Sequence, residues 1–112
     1  MGQFKEQTID ELPTETALPR ELRAVITILV SDPELVRKAL PYVNIDRQEI
    51  DWDGIYANDF GGAHSAALSW AKAVWCDKVA AKSDPFDMAF SMNPKLQSAV
   101  LRALAIRWGL VA

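Results

Sequence analysis

Cysteine and histidine are nearly missing from this chain: one of each occurs in 112 residues, Cys76 and His64. A single cysteine excludes an intrachain disulfide, and its ordinary role is that of a small apolar side chain in a reducing compartment. A catalytic thiol would need an imidazole beside it. On one helix, the twelve residues from His64 to Cys76 span about 18 Å at ~1.5 Å per residue, so the two do not pair. With one histidine, and a simpler helical explanation for each serine near it, no Ser–His–Asp set can be argued.

Positive charge is also short. Twelve Lys and Arg against fifteen Asp and Glu leave a net charge of −3 and a pI near 5.0. That balance argues against nonspecific nucleic-acid binding, which needs a basic face, and against adhesion to an anionic membrane. Long apolar runs are lacking too. The longest, AVITILV over 24–30, is far too short to span a bilayer. The stretch from Met1 to Thr16 is polar and has no apolar segment of the secretory kind. The expected location is the cytoplasm.

Apolar material is nevertheless ample for a single soluble domain. Half the residues are hydrophobic, with four Trp and four Phe, and a chain of this length buries enough surface to fold without a metal or a disulfide. Residues 1–18 show little periodicity and set Glu6, Asp10, Glu11 and Glu15 against Lys5. They read as a flexible or extended N-terminal arm, followed by a helical domain over 19–112.

The helical domain is punctuated by start and stop signals. Leu22, Val25, Ile26 and Leu29 recur at the helix period. Asp32 is a good N-cap, Pro33 fits the first helical position and Glu34 suits the positive helix end. Leu35, Val36 and Leu40 form the apolar side of this short helix, and Pro41 stops it. Ser83-Asp84-Pro85 and Asn93-Pro94 repeat the cap-plus-proline signal. The last helix is expected from Pro94 to about Trp108, with Leu96, Val100, Ala103, Leu104 and Trp108 as its core stripe and Gly109 as a left-handed C-cap. The longest helix is expected over about Gly62 to Lys82. Ala67, Leu68, Trp70, Ala71, Val74 and Trp75 fill a wide arc on it, and Ser65, Ser69, Lys72 and Cys76 share the opposite stripe. The fold class is therefore all-α: a single-domain bundle of about five helices around one long central helix.

Three features invite a functional reading. Asp59-Phe60-Gly61 matches the metal-binding triplet of protein kinases, but the lysine, glycine-rich loop and catalytic loop that give it meaning are missing. Gly61-Gly62 ahead of a helix suggests an anion nest, yet no lysine or further glycine follows; the structural account has Asp59 or a glycine capping the helix, with the glycines letting it pack tightly after a turn. His64 falls in the apolar arc of the first turn, where a neutral, packed imidazole is expected. It is also the one centre around which a small enzyme or ligand carrier would be built.

The acidic segment 49–59 offers an alternative. Glu49, Asp51, Asp53 and Gly54 fit positions 1, 3, 5 and 6 of a calcium loop, but the bidentate Glu at position 12 is replaced by Phe60. Asp59 completes this group of candidate metal ligands. The competing reading has Asp51 capping a short helix that carries Trp52, Ile55 and Tyr56 into the core, with the other acids solvated.

The stretch IDWDGI…FGGAHSAALSWAKAVW…MNPKLQSAVLRALAIRWG resembles small all-helical bacterial proteins of unknown function. In these an aromatic-bearing short helix, a small-residue turn, an Ala/Leu-rich helix and a final helix follow in that order. The resemblance implies a helical fold and no site residue. The expectation is a non-catalytic protein without a cofactor, acting on a protein partner or on a second copy of itself. Trp52, Tyr56, Trp70 and Trp75 are the candidate interface anchors.

Overall fold

The structure, a computed structural model, describes residues 18–76 and 90–111. Five α-helices account for most of them: α1 (Arg20–Leu29), α2 (Pro33–Lys38), α3 (Trp52–Tyr56), α4 (Gly62–Cys76) and α5 (Pro94–Arg107). The expected all-α class therefore holds, with one addition. A hairpin of two short strands, β1 (Val43–Asn44) and β2 (Glu49–Ile50), pairs Val43 with Ile50 and Asn44 with Glu49 in antiparallel register. The expected arm, the Ser83-Asp84-Pro85 start and the last turns of the long helix lie outside the described residues.

α1, α4 and α5 pack on one another in a triangle, and the two interfaces made by α1 are the larger ones. The sequence of α1 explains its place. Leu22, Val25, Ile26 and Leu29 make one face, and Ala24 and Ile28 widen it until six of its ten residues are buried. Its β-branched residues favour strands in isolation, but burial on two sides outweighs propensities of a few tenths of a kcal/mol per residue. Thr27 Oγ1 donates to the Arg23 carbonyl at 2.8 Å, so its hydroxyl needs no outside partner.

α2 meets the N-terminal end of α4 through Asp32 and His64, and the hairpin and α3 follow α2 in the chain. Asp32 has extended backbone and its carboxylate accepts the Glu34 N–H at 2.8 Å, with Pro33 in the first turn. α2 stops at Lys38, and Leu40–Tyr42 continue as a 3-10 turn around Pro41. Leu35 and Leu40 are buried as expected, whereas Val36 faces solvent. Asn44 Oδ1 accepts the Arg47 N–H, and Gln48 takes a positive φ of 57°, which closes the hairpin. Asn58 then ties two helix ends together: its side-chain amide donates to the Lys38 carbonyl at the end of α2 and to the Gly54 and Ile55 carbonyls of α3.

α5 is capped at both ends. Asn93 Oδ1 accepts the Leu96 N–H at 2.9 Å. At the other end Gly109 has φ 78°, its N–H donates to Ile106 and the Leu110 N–H donates to Ala105. This is the paired bonding of a Schellman motif. A Cβ on Gly109 would lie 2.8 Å from the Arg20 guanidinium carbon. Gly109→Ala is expected to cost about 1–2 kcal/mol, chiefly from the left-handed backbone, since the end of an arginine side chain moves cheaply. Urea unfolding checks this. An unchanged midpoint would mean that the turn relaxes without strain.

Candidate interaction surface

The acidic segment does not form a loop. Glu49 lies in β2, Asp51 caps α3 with its Oδ1 3.0 Å from the Gly54 N–H, and Asp53 points outward from the first turn of α3. Asp59 is exposed, and it is its backbone carbonyl that accepts Lys38 Nζ at 2.7 Å. Among the described residues no three His, Cys, Asp or Glu side chains converge as a metal site. The calcium-like spacing of Glu49, Asp51, Asp53 and Asp59 is thus broken by strand and helix geometry, which point successive acids in different directions. The capping role of Asp51 is what the fold uses. Of the side chains on α3, Ile55 is fully buried and Trp52 partly so, but Tyr56 is 45% exposed rather than carried into the core.

The glycines ahead of α4 correct a second expectation. Neither Gly61 nor Gly62 has a positive φ, and a Cβ on either would meet no neighbour within 4 Å. No tight packing requires them. Of the two capping alternatives, Asp59 or a glycine, it is Gly61 that precedes α4, its carbonyl accepting the Ser65 N–H at 2.9 Å.

His64 is not packed in an apolar arc. Its Nε2 lies 3.0 Å from Asp32 Oδ1 and its Nδ1 lies 3.8 Å from Glu34 Oε2. The ring stands between the carboxylates that open α2, so it joins the start of α4 to the start of α2. Glu34 also accepts Lys38 Nζ at 3.0 Å, and Arg37 approaches it at 3.7 Å. Burial pushes the Asp32 carboxyl up, but the Glu34 N–H, the hydrogen bond and charge of His64 and the Leu35 N–H together hold it below 3.8. The hydrogen bond from Lys38 leads in lowering Glu34, against desolvation and with help from the charges of Lys38, His64 and Arg37. Both ring nitrogens face carboxylates of the protein itself, Nε2 within hydrogen-bond distance and Nδ1 beyond it.

The aromatic candidates separate. Trp52 and Tyr56 stack with centroids 6.2 Å apart, and Lys72 Nζ sits over both rings at 6.0 and 5.6 Å. Partial burial of Tyr56, with the negative charge of the Cys76 thiolate as the smaller cause, pushes its hydroxyl pKa up from the ordinary value. Trp75 is partly buried against the core. Trp70 is only 8% exposed and cannot anchor a partner; its Nε1 finds no acceptor among the described residues. It lies on the buried side of α4, with Ala66, Ala67, Ala71 and Val74.

A larger apolar surface lies on α5. Leu96, Ala99, Val100, Ala103 and Ile106 face the core. Leu101 is 68% exposed and Trp108 64% exposed, seven residues apart on the opposite side of the helix. Leu104 and Ala105 lie half-buried between them, and the exposed Leu110 and Val111 extend the patch past Gly109. Trp108 therefore does not belong to the core stripe expected of it, whereas Leu104 is partly buried and packs against the core from its edge; Ile106 and Ala99 join the stripe. The signal was present as apolar residues at 101, 104 and 108, a second helical row. Exposed Lys95 and Arg102 flank that row, and no acid follows Asp87 in the chain. Arg107 turns the other way, its Nε donating to the Val74 carbonyl of α4 at 3.0 Å.

No family model, curated protein or solved structure matches the chain.

Proposed function

We propose that this chain is a small non-catalytic binding protein that docks the outer face of α5 against another protein. One observation carries the reading: Leu101 and Trp108 are exposed two turns apart on a helix whose opposite face is already seated in the core. Contiguous exposed apolar surface marks interaction sites, and tryptophan is enriched among the residues that dominate interface energies. The Trp52–Tyr56 pair is a poorer anchor, because Lys72 already covers both rings.

Charge and composition support the setting. An acidic balance favours a protein over a nucleic acid as partner, and a single cysteine fits a reducing cytoplasm. Among the described residues no helix is long and apolar enough to cross a membrane. The order of the elements supports placing the chain with the small helical bacterial proteins that it resembles.

The test is a partner co-purified with the full chain, identified by mass spectrometry and rebuilt from purified components. Trp108→Asp is expected to weaken that complex at least about 30-fold, the effect of losing one interface hot spot, with circular dichroism unchanged. Val36→Asp, at an exposed site on α2, serves as the control and keeps the affinity. Full-strength binding by Trp108→Asp would retire the α5 reading.

A further inference from the structure

Resting on that reading, we infer that the occupant of the α5 face is an amphipathic helix whose apolar row is bordered by acidic side chains. The row itself, Leu101, Leu104 and Trp108, follows helical spacing and matches the ridge of one partner helix. The charges decide which kind of helix. Lys95 and Arg102 are exposed, lie seven residues apart and stand on one flank of the row. At the end of α5, beyond Trp108, the Arg20 guanidinium borders Gly109. α5 itself supplies no acid: no Asp or Glu occurs from Met88 to Ala112 in a chain that is acidic as a whole.

The same charges weigh against two other occupants. A second copy packed on the same row would bring a second Lys95 and Arg102 to the interface and no acid from α5 to meet them, so charge gives that pairing no support. An anionic membrane surface is held by clusters of about four to eight basic residues, and this flank has two on a protein of net charge −3.

The probes are two synthetic 21-residue helical peptides with leucine at every a and d position. One carries Glu at the flanking e and g positions and the other carries Lys. Fluorescence anisotropy with the full chain at low salt is expected to show the Glu peptide binding at least about tenfold tighter, with the difference shrinking at 0.5 M salt. The double variant Lys95→Glu/Arg102→Glu is expected to reverse the preference, and Trp108→Asp to abolish binding of both. Equal binding of the two peptides that is still lost in Trp108→Asp overturns the acidic partner and leaves the docking face intact. Failure of both peptides to bind, or binding indifferent to Trp108→Asp, overturns the docking face as well. A dimer in sedimentation equilibrium, or binding to phosphatidylglycerol vesicles, that Trp108→Asp removes would reassign the face to a second copy or to a lipid surface.

Discussion

Leu22→Ala is expected to lower stability by about 2–5 kcal/mol. Domains of this size are stable by roughly 5–15 kcal/mol, so much of the total goes with one side chain. Leu22 is wholly buried in α1, the helix that packs on both α4 and α5. Its loss opens a cavity between elements that are each held on another side and cannot simply collapse. Calorimetry should show the midpoint falling by about 10 °C or more. The paired control is Leu101→Ala, a leucine of the same size on α5 that is 68% exposed. Its midpoint should change by no more than the equivalent of about 0.5 kcal/mol. Equal effects at the two positions would contradict the division between the inner and outer faces of the bundle.

Asp32→Ala is the second large effect, about 1–3 kcal/mol at neutral pH. The substitution removes the N-cap of α2 and leaves a helix-start N–H without its acceptor. It also takes away the carboxylate that faces His64 Nε2. Asp32→Asn keeps a capping oxygen and should cost much less, with the remainder measuring the charge. The sign of the pH dependence follows from the Asp32 carboxyl being held below 3.8 in the folded protein. Its contribution is fully present above the unfolded value and is lost as pH falls through the folded one. Both variants should therefore flatten the loss of stability below about pH 4. Urea midpoints between pH 2.5 and 7 check this, and an acid limb as steep as that of the unaltered chain would remove the Asp32–His64 pairing from the account.

Local signals in the sequence translated well into structure. Asp32, Asp51 and Asn93 each cap the helix they precede, and Gly109 ends α5 in the left-handed conformation, because caps are written in three or four adjacent residues. Pairings across the fold were not legible. Asp32 and His64 are 32 residues apart, and no periodicity announces that they meet. A run of acids with calcium-like spacing meant nothing once the hairpin and α3 turned those side chains apart. Trp108 was misassigned for a different reason. α5 has apolar residues on both sides, so spacing alone does not say which row faces inward; the row of Leu96, Ala99, Val100, Ala103 and Ile106 is selected by its fit against α1 and α4, a property of the assembled bundle. The hairpin has strands of two residues each, too few to show alternation.

The contact between Arg20 and Gly109 has a practical consequence. The polypeptide enters α1 and leaves α5 within the length of one arginine side chain, so the folded body has a single doorway. A label attached where the described body begins or ends, at Leu18 or Val111, would stand near Trp108 and shade the α5 face. The exposed hairpin tip at Asp46–Gln48 is the better attachment point for a label. The same doorway geometry suits this body to insertion, whole, into a surface loop of a host protein.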